Sequence, residues 1–393
     1  MSITKNTAPA SYVLPVIVLA QFCCTSLWFA SNGVMDNLIA DFNLSTKALG
    51  GLTSAVQFGF ISGTLIFAWY SLADRFSPSL VFLFSAMMGA LANLGVIWSG
   101  HSFGSLFFLR FITGFFLAGI YPVGMKISAD YFAEKLGRSL GFLVGALVLG
   151  TAFPHLLKVM TNESLSWRAV VVTTSILAAF GGLMMWFFIP DGPYRKPGQR
   201  LNGKAIFEVF RYPKFRAAAF GYFGHMWELY AFWAFVPVML ATHQQVHAST
   251  NVDVSWWSFL VIAIGGLACV ISGQLSLKIG ASKTARLALG LSGVCCFLSP
   301  LFFYFSFPVF ILFLFFWGMV VIADSPMFST LVANNAPPEI KGTALTLVNC
   351  LGFSITIISI QLLTWMVGVF PGEWLYVILG IGAVVGFMQK ELK

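Results

Sequence analysis

Long apolar stretches of the sequence contain a few ionisable side chains, which are rare in such surroundings, and four of them are the strongest candidates for chemistry. Arg110 lies in the fourth apolar stretch, His225 and Glu228 lie in the seventh, and Asp324 lies in the tenth. A charged side chain at the centre of a bilayer costs about 2.5–3.5 kcal/mol on insertion scales, so it tends to persist where it has a partner or a role. We therefore take these four residues as the first candidates for chemistry.

Glu228 and His225 are three residues apart in GYFGHMWELYAFWAF (residues 221–235), which places both side chains on one face of a helix. A carboxyl group is neutral where it is buried in dry surroundings and ionised where it is wetted or paired, so Glu228 can bind and release one proton per cycle. Imidazole titrates near neutral pH, so the two side chains could hold one proton between them. The alternative is that they only hydrogen-bond and fix the helix. We predict Glu228 as the principal proton site, with His225 and Asp324 as its partners.

Arg110 carries a permanent charge, so it needs an anionic partner. It either pairs with a carboxylate of the chain, for which Glu228 and Asp324 are the candidates, and takes part in proton transfer, or it binds an anionic group of a substrate. A purely structural role is the third alternative. The sequence alone leaves all three open.

Two prolines mark local breaks in the apolar stretches. Asp324 directly precedes Ser325 and Pro326, and a proline frees a backbone carbonyl one turn earlier, so that polar groups are exposed to a cavity. Tyr121 and Pro122 form the matching break in the fourth stretch. We expect the substrate to bind between these two breaks. The alternative is that the prolines act only as gating kinks.

Several other side chains on these stretches are candidates for contacts with a substrate. Aromatic residues that are this common more often pack in a core or against lipid, and the histidine is a weaker candidate than the residues discussed so far. The predicted contacts are Trp28 and Asn32 in the first stretch, His155 in the fifth, and Trp227 and Tyr230 in the seventh.

The candidate residues are carried by twelve apolar stretches. The chain has 393 residues, of which 58% are apolar and only 9% are charged, against about 25% charged residues in a soluble domain. Stretches of about twenty residues span a bilayer as helices, whereas barrel strands are shorter and alternate in polarity. Stretches three, six, nine and twelve contain no ionisable residue, which indicates a bundle whose first, fourth, seventh and tenth helices face a polar path. We predict an all-α polytopic membrane protein with twelve transmembrane helices.

The positive charges are distributed unevenly along these stretches. If the N-terminus is cytoplasmic, 17 of the 22 Lys and Arg residues fall on the cytoplasmic side. This bias predicts that both termini are cytoplasmic. It also explains the net charge of +8 without a nucleic-acid partner.

The two halves of the chain match each other at a nearly constant offset. TGFFLAGIYP at residues 113–122 corresponds to WGMVVIADSP at residues 317–326, 204 positions later. YSLADRFSPS at residues 70–79 corresponds to GQLSLKIGAS at residues 273–282. These matches indicate a duplicated six-helix unit. The predicted parts are a six-helix bundle at residues 1–190, a cytoplasmic linker at residues 191–214 and a second six-helix bundle at residues 215–393.

Two parallel six-helix repeats resemble the architecture of the major facilitator superfamily. LADR at residues 72–75 resembles the signature loop of that superfamily, with Asp74 and Arg75 at the expected positions. LRFITGFFLAG at residues 109–119 resembles its helix-four motif, which is built around Arg110. The resemblance covers the whole chain for the fold, but only these two motifs match specifically.

The sequence also departs from the motifs of the superfamily. Tyr70 stands where the signature loop begins with Gly, and the motif of helix five is reduced to scattered glycines before Pro154. We expect Asp74, Arg75 and Arg138 to form a latch at the cytoplasmic ends of the helices, whose charge pairing holds one conformation closed.

The resemblance implies a secondary transporter that works by alternating access in the cell (inner) membrane. Glu228 and its partners lead us to expect proton coupling, and Arg110 leads us to expect a small organic solute that is anionic or zwitterionic. The alternatives are an uncoupled facilitator, an exporter of drugs or metabolites, and a transporter-like receptor without transport. The sequence has no nucleotide-binding or hydrolase motif, so we expect no enzymatic activity and no cofactor. His243 and His247 have only Asp253 nearby and do not suggest a metal site. The expected partners are a small-molecule substrate, protons and the lipid bilayer, and the expected state is a monomer.

Overall fold

The structure is a computed structural model that describes residues 11–132, 136–161, 166–195, 208–247, 252–337 and 340–388, with residues 136–138 described for the backbone alone. Within these ranges the chain is helical, and its one β-bridge is an isolated contact between Val367 and Phe370. The predicted all-α fold is confirmed.

The first half of the structure is formed by nine helices. Several apolar stretches are divided between two helices, so the number of helices exceeds the number of stretches. The helices are α1 (Val13–Thr25), α2 (Met35–Asp41), α3 (Ala48–Trp69), α4 (Leu72–Arg75), α5 (Pro78–Gly95), α6 (Phe103–Leu117), α7 (Tyr121–Tyr131), α8 (Leu136–Thr161) and α9 (Arg168–Phe188).

The second half follows after residues 189–212. It begins with a helix of 34 residues and ends with a short 3₁₀ segment, Gly372–Leu379, that leads into the last helix. Its helices are α10 (Pro213–Val246), α11 (Val254–Ile279), α12 (Ala281–Phe302), α13 (Phe307–Ala323), α14 (Ser325–Asn335), α15 (Lys341–Met366) and α16 (Gly380–Phe387).

The helical segments match the predicted apolar stretches. Among the described residues, nine helical segments are long and apolar enough to cross a membrane, and two shorter apolar helices lie at Val13–Thr25 and Gly372–Phe387. With the 34-residue α10, these segments account for the twelve stretches. We call the side of the bundle that carries the described residues 189–195 and 208–212 the linker side.

The fourth and tenth stretches are each broken into two helices at the predicted places. In the fourth stretch α6 ends at Leu117 and α7 begins at Tyr121, and in the tenth α13 ends at Ala323 and α14 begins at Ser325. In both cases a proline is the second residue of the new helix. The first turn of a helix tolerates proline because its backbone N–H groups have no partner within the helix.

Glycines allow the helices of the first half to pack at backbone contact. A Cβ atom at Gly59 or Gly63 of α3 would collide with the backbone of α6 at Phe111 or Phe115. Gly114 of α6 lies equally close to the backbone of α3. Small residues at such crossings let membrane helices approach closely. This packing fixes the position of α6, which carries Arg110.

The two halves meet mainly where α8 packs on α11 and where α3 packs on α15. Gly145 of α8 faces the backbone of Gly266 of α11. Nearer the linker side, no atom of a neighbouring element among the described residues lies within 4 Å of a Cβ added at Gly141 of α8 or at Gly273 of α11. Gly342, at the linker-side start of α15, is equally open. The halves therefore diverge toward the linker side.

On the opposite side of the bundle the halves are joined by hydrogen bonds. The amide of Gln361 on α15 donates to the carbonyl oxygen of Gly50 at 3.0 Å and to the hydroxyl oxygen of Ser54 at 2.8 Å, both on α3. The structure is thus closed on that side and open on the linker side.

Candidate functional site

The centre of the second half contains a buried ion pair. The Nδ1 atom of His225 on α10 lies 2.7 Å from the Oδ1 atom of Asp324, and each side chain is only 1% exposed. Asp324 occupies the break between α13 and α14, and its carbonyl oxygen accepts hydrogen bonds from the backbone N–H groups of Met327 and Phe328. The break therefore fixes the position of the carboxylate that faces the helix of His225.

The ion pair lies near residues of the first half. Cys269 of α11 is a neighbour of Asp324 and also of Tyr121. Tyr121 is the first residue of α7. The ring of Tyr222 lies 6.1 Å from the imidazole of His225. The structure therefore brings the two predicted breaks, at Tyr121 and at Asp324, toward one region between the halves.

The hydrogen-bond partners of Glu228 are residues other than His225. Its Oε1 atom accepts hydrogen bonds from the hydroxyl of Ser292 on α12, at 2.5 Å, and from the indole N–H of Trp317 on α13, at 2.6 Å. The thiol of Cys296 on α12 is a third hydrogen-bonding neighbour. Glu228 is 1% exposed and lies between α10, α12 and α13, so the predicted pairing with His225 is corrected. The imidazole is paired with Asp324 instead, because the break in the tenth stretch brings that carboxylate closer.

Arg110 forms neither of its predicted ion pairs. One terminal nitrogen donates to the carboxamide oxygen of Asn93 at 2.9 Å. The other donates to the carbonyl oxygens of Leu27 and Trp28, each at 2.8 Å. These carbonyls lie just beyond the C-terminus of α1, where a helix leaves carbonyls without partners and favours a positive charge. The guanidinium is therefore directed into the first half, away from Glu228 and Asp324.

Asn93 extends the hydrogen bonds of Arg110 to a third helix. Its amide nitrogen donates to Ser175 at 2.9 Å and to Thr174 at 3.2 Å, both on α9. Arg110 and Asn93 together join α1, α5, α6 and α9. This geometry favours the structural alternative for Arg110.

A cluster of aromatic rings fills the space between the halves at the level of the breaks. Trp28 lies 4.9 Å from Phe60 of α3, 5.6 Å from Tyr230 of α10 and 5.7 Å from Phe353 of α15, measured between ring centroids. All members are buried, so none of them faces an open cavity in this structure. The central aromatic cluster consists of Trp28, Phe29, Phe60, Tyr230, Trp233 and Phe353.

The other predicted substrate contacts are dispersed. The amide of Asn32 donates to Thr53 at 2.8 Å within the first half. The indole of Trp227 donates to the carbonyl oxygen of Ile378 at 3.0 Å, near the last helix. His155 is buried on α8, and its Nε2 atom has no hydrogen-bond partner among the described residues. Ser325 is the half-buried first residue of α14.

Two buried glutamines are further polar side chains between the helices. Gln21 on α1 and Gln57 on α3 are fully buried, and neither side-chain amide has a hydrogen-bond partner among the described residues. A Cβ atom at Gly124 of α7 would meet the carboxamide of Gln21. An amide side chain in the middle of an apolar stretch is the sequence feature that identifies such residues, because a buried amide without a partner is costly.

Of the residues expected to form a latch, Asp74 pairs with a cation that was not among them. Lys126 of α7 pairs with Asp74 at 2.9 Å and lies 4.0 Å from Asp130. Arg75 is exposed and forms no ion pair within the described part of the chain, and the side chain of Arg138 lies outside the described residues. Asp74 is therefore paired within the first half, because Lys126 reaches it from the linker-side end of α7.

The segment after α9 is hydrogen-bonded to the end of α4, next to Asp74. Arg195 pairs with Asp191 and donates to the carbonyl oxygens of Asp74 and Phe76, at 3.0 and 2.8 Å. The hydroxyl of Ser77 donates to Asp191 at 2.8 Å. The beginning of the linker thus covers the end of α4.

The chain is similar to known transporters in sequence and in structure. It is 24% identical over 194 residues to a putative uncharacterized transporter, YgaY, of Escherichia coli strain K12, a match that covers 47% of each chain. It is 27% identical over 156 residues to a D-galactonate transporter of E. coli O6:H1, covering 39% of this chain and 35% of that one. The chain thus matches less than half of the length of these curated relatives.

A solved structure with the same architecture covers nearly the whole chain. The proton:xylose symporter XylE, solved with 6-bromo-6-deoxy-D-glucose, superposes with a TM-score of 0.76 at 15% identity, over 95% of this chain and 94% of that one. The model of the Major Facilitator Superfamily matches residues 17–361. The chain therefore belongs to the Major Facilitator Superfamily.

Proposed function

We propose that this chain is a proton-coupled secondary transporter of a small organic solute and that His225 and Asp324 are its principal coupling groups. The observation that carries the proposal is their ion pair at 2.7 Å, in which both side chains are 1% exposed. Ionisable groups inside a membrane bundle mark proton and substrate pathways more often than they serve stability. A buried ion pair also costs desolvation energy that replacement by apolar residues would avoid.

Protonation of this pair changes the charge in the space between the halves. With the carboxylate ionised, Asp324 and an imidazolium at His225 compensate each other. A proton on Asp324 removes that compensation and changes which arrangement of helices is favoured, since a ligand shifts a conformational equilibrium only by its differential affinity for the two states. Glu228, within electrostatic range of Asp324, is proposed as a second proton-binding group of the same half.

The proposed motion is a rocking of one half against the other. We propose a first bundle at residues 1–190, a linker at 191–214 and a second bundle at 215–393. The open space at Gly141 and Gly273 and the hydrogen bonds of Gln361 support one state of such a cycle, open on the linker side. The proposed setting is the cell inner membrane, with a monomeric chain, both termini in the cytoplasm and the linker side facing it.

The proposed substrate is an anionic or zwitterionic organic solute. The relative named as a D-galactonate transporter supports an organic anion. The unused donors Gln21 and Gln57 and the tyrosines near the ion pair are suited to hydroxyl and carboxylate groups.

The test is proton movement driven by solute in liposomes that contain the purified protein and a pH-sensitive dye. We expect at least one organic acid in a metabolite library to acidify the lumen on entry. His225→Gln and Asp324→Asn should abolish this acidification, whereas Glu373→Gln, which removes an acid at the start of the 3₁₀ segment Gly372–Leu379, should retain it. Solute entry without proton movement in the unmodified protein would identify an uncoupled facilitator.

A further inference from the structure

We infer that His225 is the substrate's anchor as well as a coupling group, and that it binds the carboxylate of an organic acid at Nε2 when Asp324 is protonated. This inference rests on the proposed transport function and names its substrate class. The chemistry is a carboxylate against an imidazolium, with a proton on Asp324 as the condition for binding.

The first step is the distribution of cationic side chains. Arg110 has both terminal nitrogens bonded within the first half. Lys126 is paired with Asp74 and lies near Asp130. Of the cations in the described middle of the bundle, His225 is therefore the one placed between the breaks of the fourth and tenth stretches.

The second step is the free edge of the imidazole. Nδ1 lies 2.7 Å from Oδ1 of Asp324 without the geometry of a hydrogen bond, and Nε2 is buried without a hydrogen-bond partner among the described residues. A buried ring nitrogen without a partner is costly, so such a group indicates a ligand that completes it. An imidazolium has two N–H donors on opposite edges of the ring, so with Nδ1 toward Asp324 the Nε2–H group remains to donate to a substrate carboxylate.

The other titratable side chains near His225 and Asp324 do not supply a second anion for the imidazolium. Tyr222 lies on the same helix as His225, and Tyr121 belongs to α7. Cys269 of α11 and Glu228 of α10 are within electrostatic range of Asp324. Glu228 is held by Ser292 and Trp317, so it is not free to replace Asp324 at the imidazolium.

The charge balance of the step is simple. In the ion pair, one proton is shared between the imidazole and the carboxylate of Asp324. A second proton from the aqueous side binds to that carboxylate and leaves a neutral acid beside an imidazolium. The substrate carboxylate then pairs with the imidazolium, so one proton and one monoanion enter together and the site remains neutral. Release on the other side returns the proton and restores the ion pair.

The experiment measures binding-linked proton uptake by the purified, full-length protein in weakly buffered detergent solution. The probes are D-galactonate and a panel of other hydroxy and sugar monocarboxylates, each matched by the neutral alcohol or sugar with the same carbon skeleton. We expect at least one acid to raise the thermal midpoint of the protein and to take up about one proton per molecule bound, because binding requires protonated Asp324. The neutral counterparts should do neither.

Two variants separate the anchor from the proton site. Asp324→Asn mimics the protonated acid, so it should bind the same acid at high pH without proton uptake. His225→Gln should weaken the binding of that acid by about tenfold or more, since it removes a charge-assisted hydrogen bond. His243→Gln, at the far end of the same helix, is the matched control and should bind as the unmodified protein does.

Two results would overturn the inference. One is that no acid in the panel binds, or that the neutral counterparts bind equally well. The other is that His225→Gln binds the acid with unchanged affinity. If a neutral solute still moves protons in liposomes, the proton-coupled function stands and only the assignment of a carboxylate substrate fails.

Discussion

At the scale of single residues, the buried charges of the two halves have different neighbours although both lie in apolar stretches. Arg110 is satisfied by two carbonyls beyond the end of α1 and by Asn93. Glu228 is satisfied by donors from α12 and α13. The side chains of His225 and Asp324 have each other as their charged neighbour at 2.7 Å, without the geometry of a hydrogen bond. Groups that depend on one partner respond most strongly to a change in its protonation, and for this reason we place the coupling at the ion pair.

Arg110→Met should reduce the stability of the protein. The substitution removes the donors to Leu27, Trp28 and Asn93, and a buried acceptor left without a partner costs about 1–3 kcal/mol. We expect a lower thermal midpoint in detergent at a fixed scan rate. Arg75→Met, which removes an exposed arginine, is the control. An unchanged midpoint for Arg110→Met would show that these hydrogen bonds do not hold the first half together.

The pairing of individual side chains was the least predictable feature from the sequence. The residue types identified the ionisable groups, but not which of them are paired. Spacing along α10 suggested Glu228 with His225, whereas the partner of His225 comes from the break before α14, 99 positions later in the chain. Side-chain pairs between helices depend on the rotation of each helix, and hydrophobic stretches without a strong apolar face do not determine that rotation.

At the scale of elements, the breaks and the repeat were predictable because proline has a local effect. Pro122 and Pro326 mark the starts of α7 and α14 in matching positions of the two halves. The end of α1 shortly before Trp28 was not predicted, since no proline or glycine marks it. The carbonyls freed there are those that Arg110 binds.

The turn after α3 contains a strained residue. Ser71 has φ +51° and ψ +44°, a left-handed conformation that is unfavourable for residues other than glycine. Tyr70, the position at which the resemblance led us to expect a glycine, is helical. Ser71 connects α3 to α4 and thereby sets the direction of Asp74.

Ser71→Gly should stabilise the protein by up to about 1 kcal/mol, since the left-handed conformation costs that much with a side chain. The measurement is the thermal midpoint in detergent. Ser62→Gly, within the continuous helix α3, is the matched control and should lower the midpoint, because glycine is unfavourable inside a helix. A lower midpoint for Ser71→Gly would mean that the serine side chain contributes more than the strain costs.

At the scale of the whole molecule, the structure describes a bundle that is closed on one side. The hydrophobic stretches predicted the number of spans, because a bilayer requires long apolar helices. The internal repeat and the motifs at residues 72–75 and 109–119 predicted the family. They did not predict on which side the halves meet. That depends on small differences between two packed arrangements, which the contacts of Gln361 and the central aromatic cluster decide in this structure.

A cysteine pair at Gly141 and Gly273 should report the motion of the halves. In the structure both positions face open space near the linker side, so Gly141→Cys with Gly273→Cys should react readily with a soluble maleimide. Transport requires these helix ends to approach, so a short bifunctional cross-linker should stop solute flux. Gly145→Cys, at the closed contact with Gly266, is the control and should react slowly. Equal labelling of Gly141→Cys and Gly145→Cys would contradict the linker-side opening.

The central claim is that His225 and Asp324 couple solute movement to protons, and the most direct test is Asp324→Asn in liposomes. One preparation is used to measure accumulation driven by a pH gradient and exchange between labelled and unlabelled solute without a gradient. We expect Asp324→Asn to lose accumulation of the solute but to retain solute exchange, because the amide permanently imitates the protonated carboxyl group. Glu228→Gln, measured alongside, shows whether the second acid shares the role. Accumulation that remains intact in Asp324→Asn would contradict the claim.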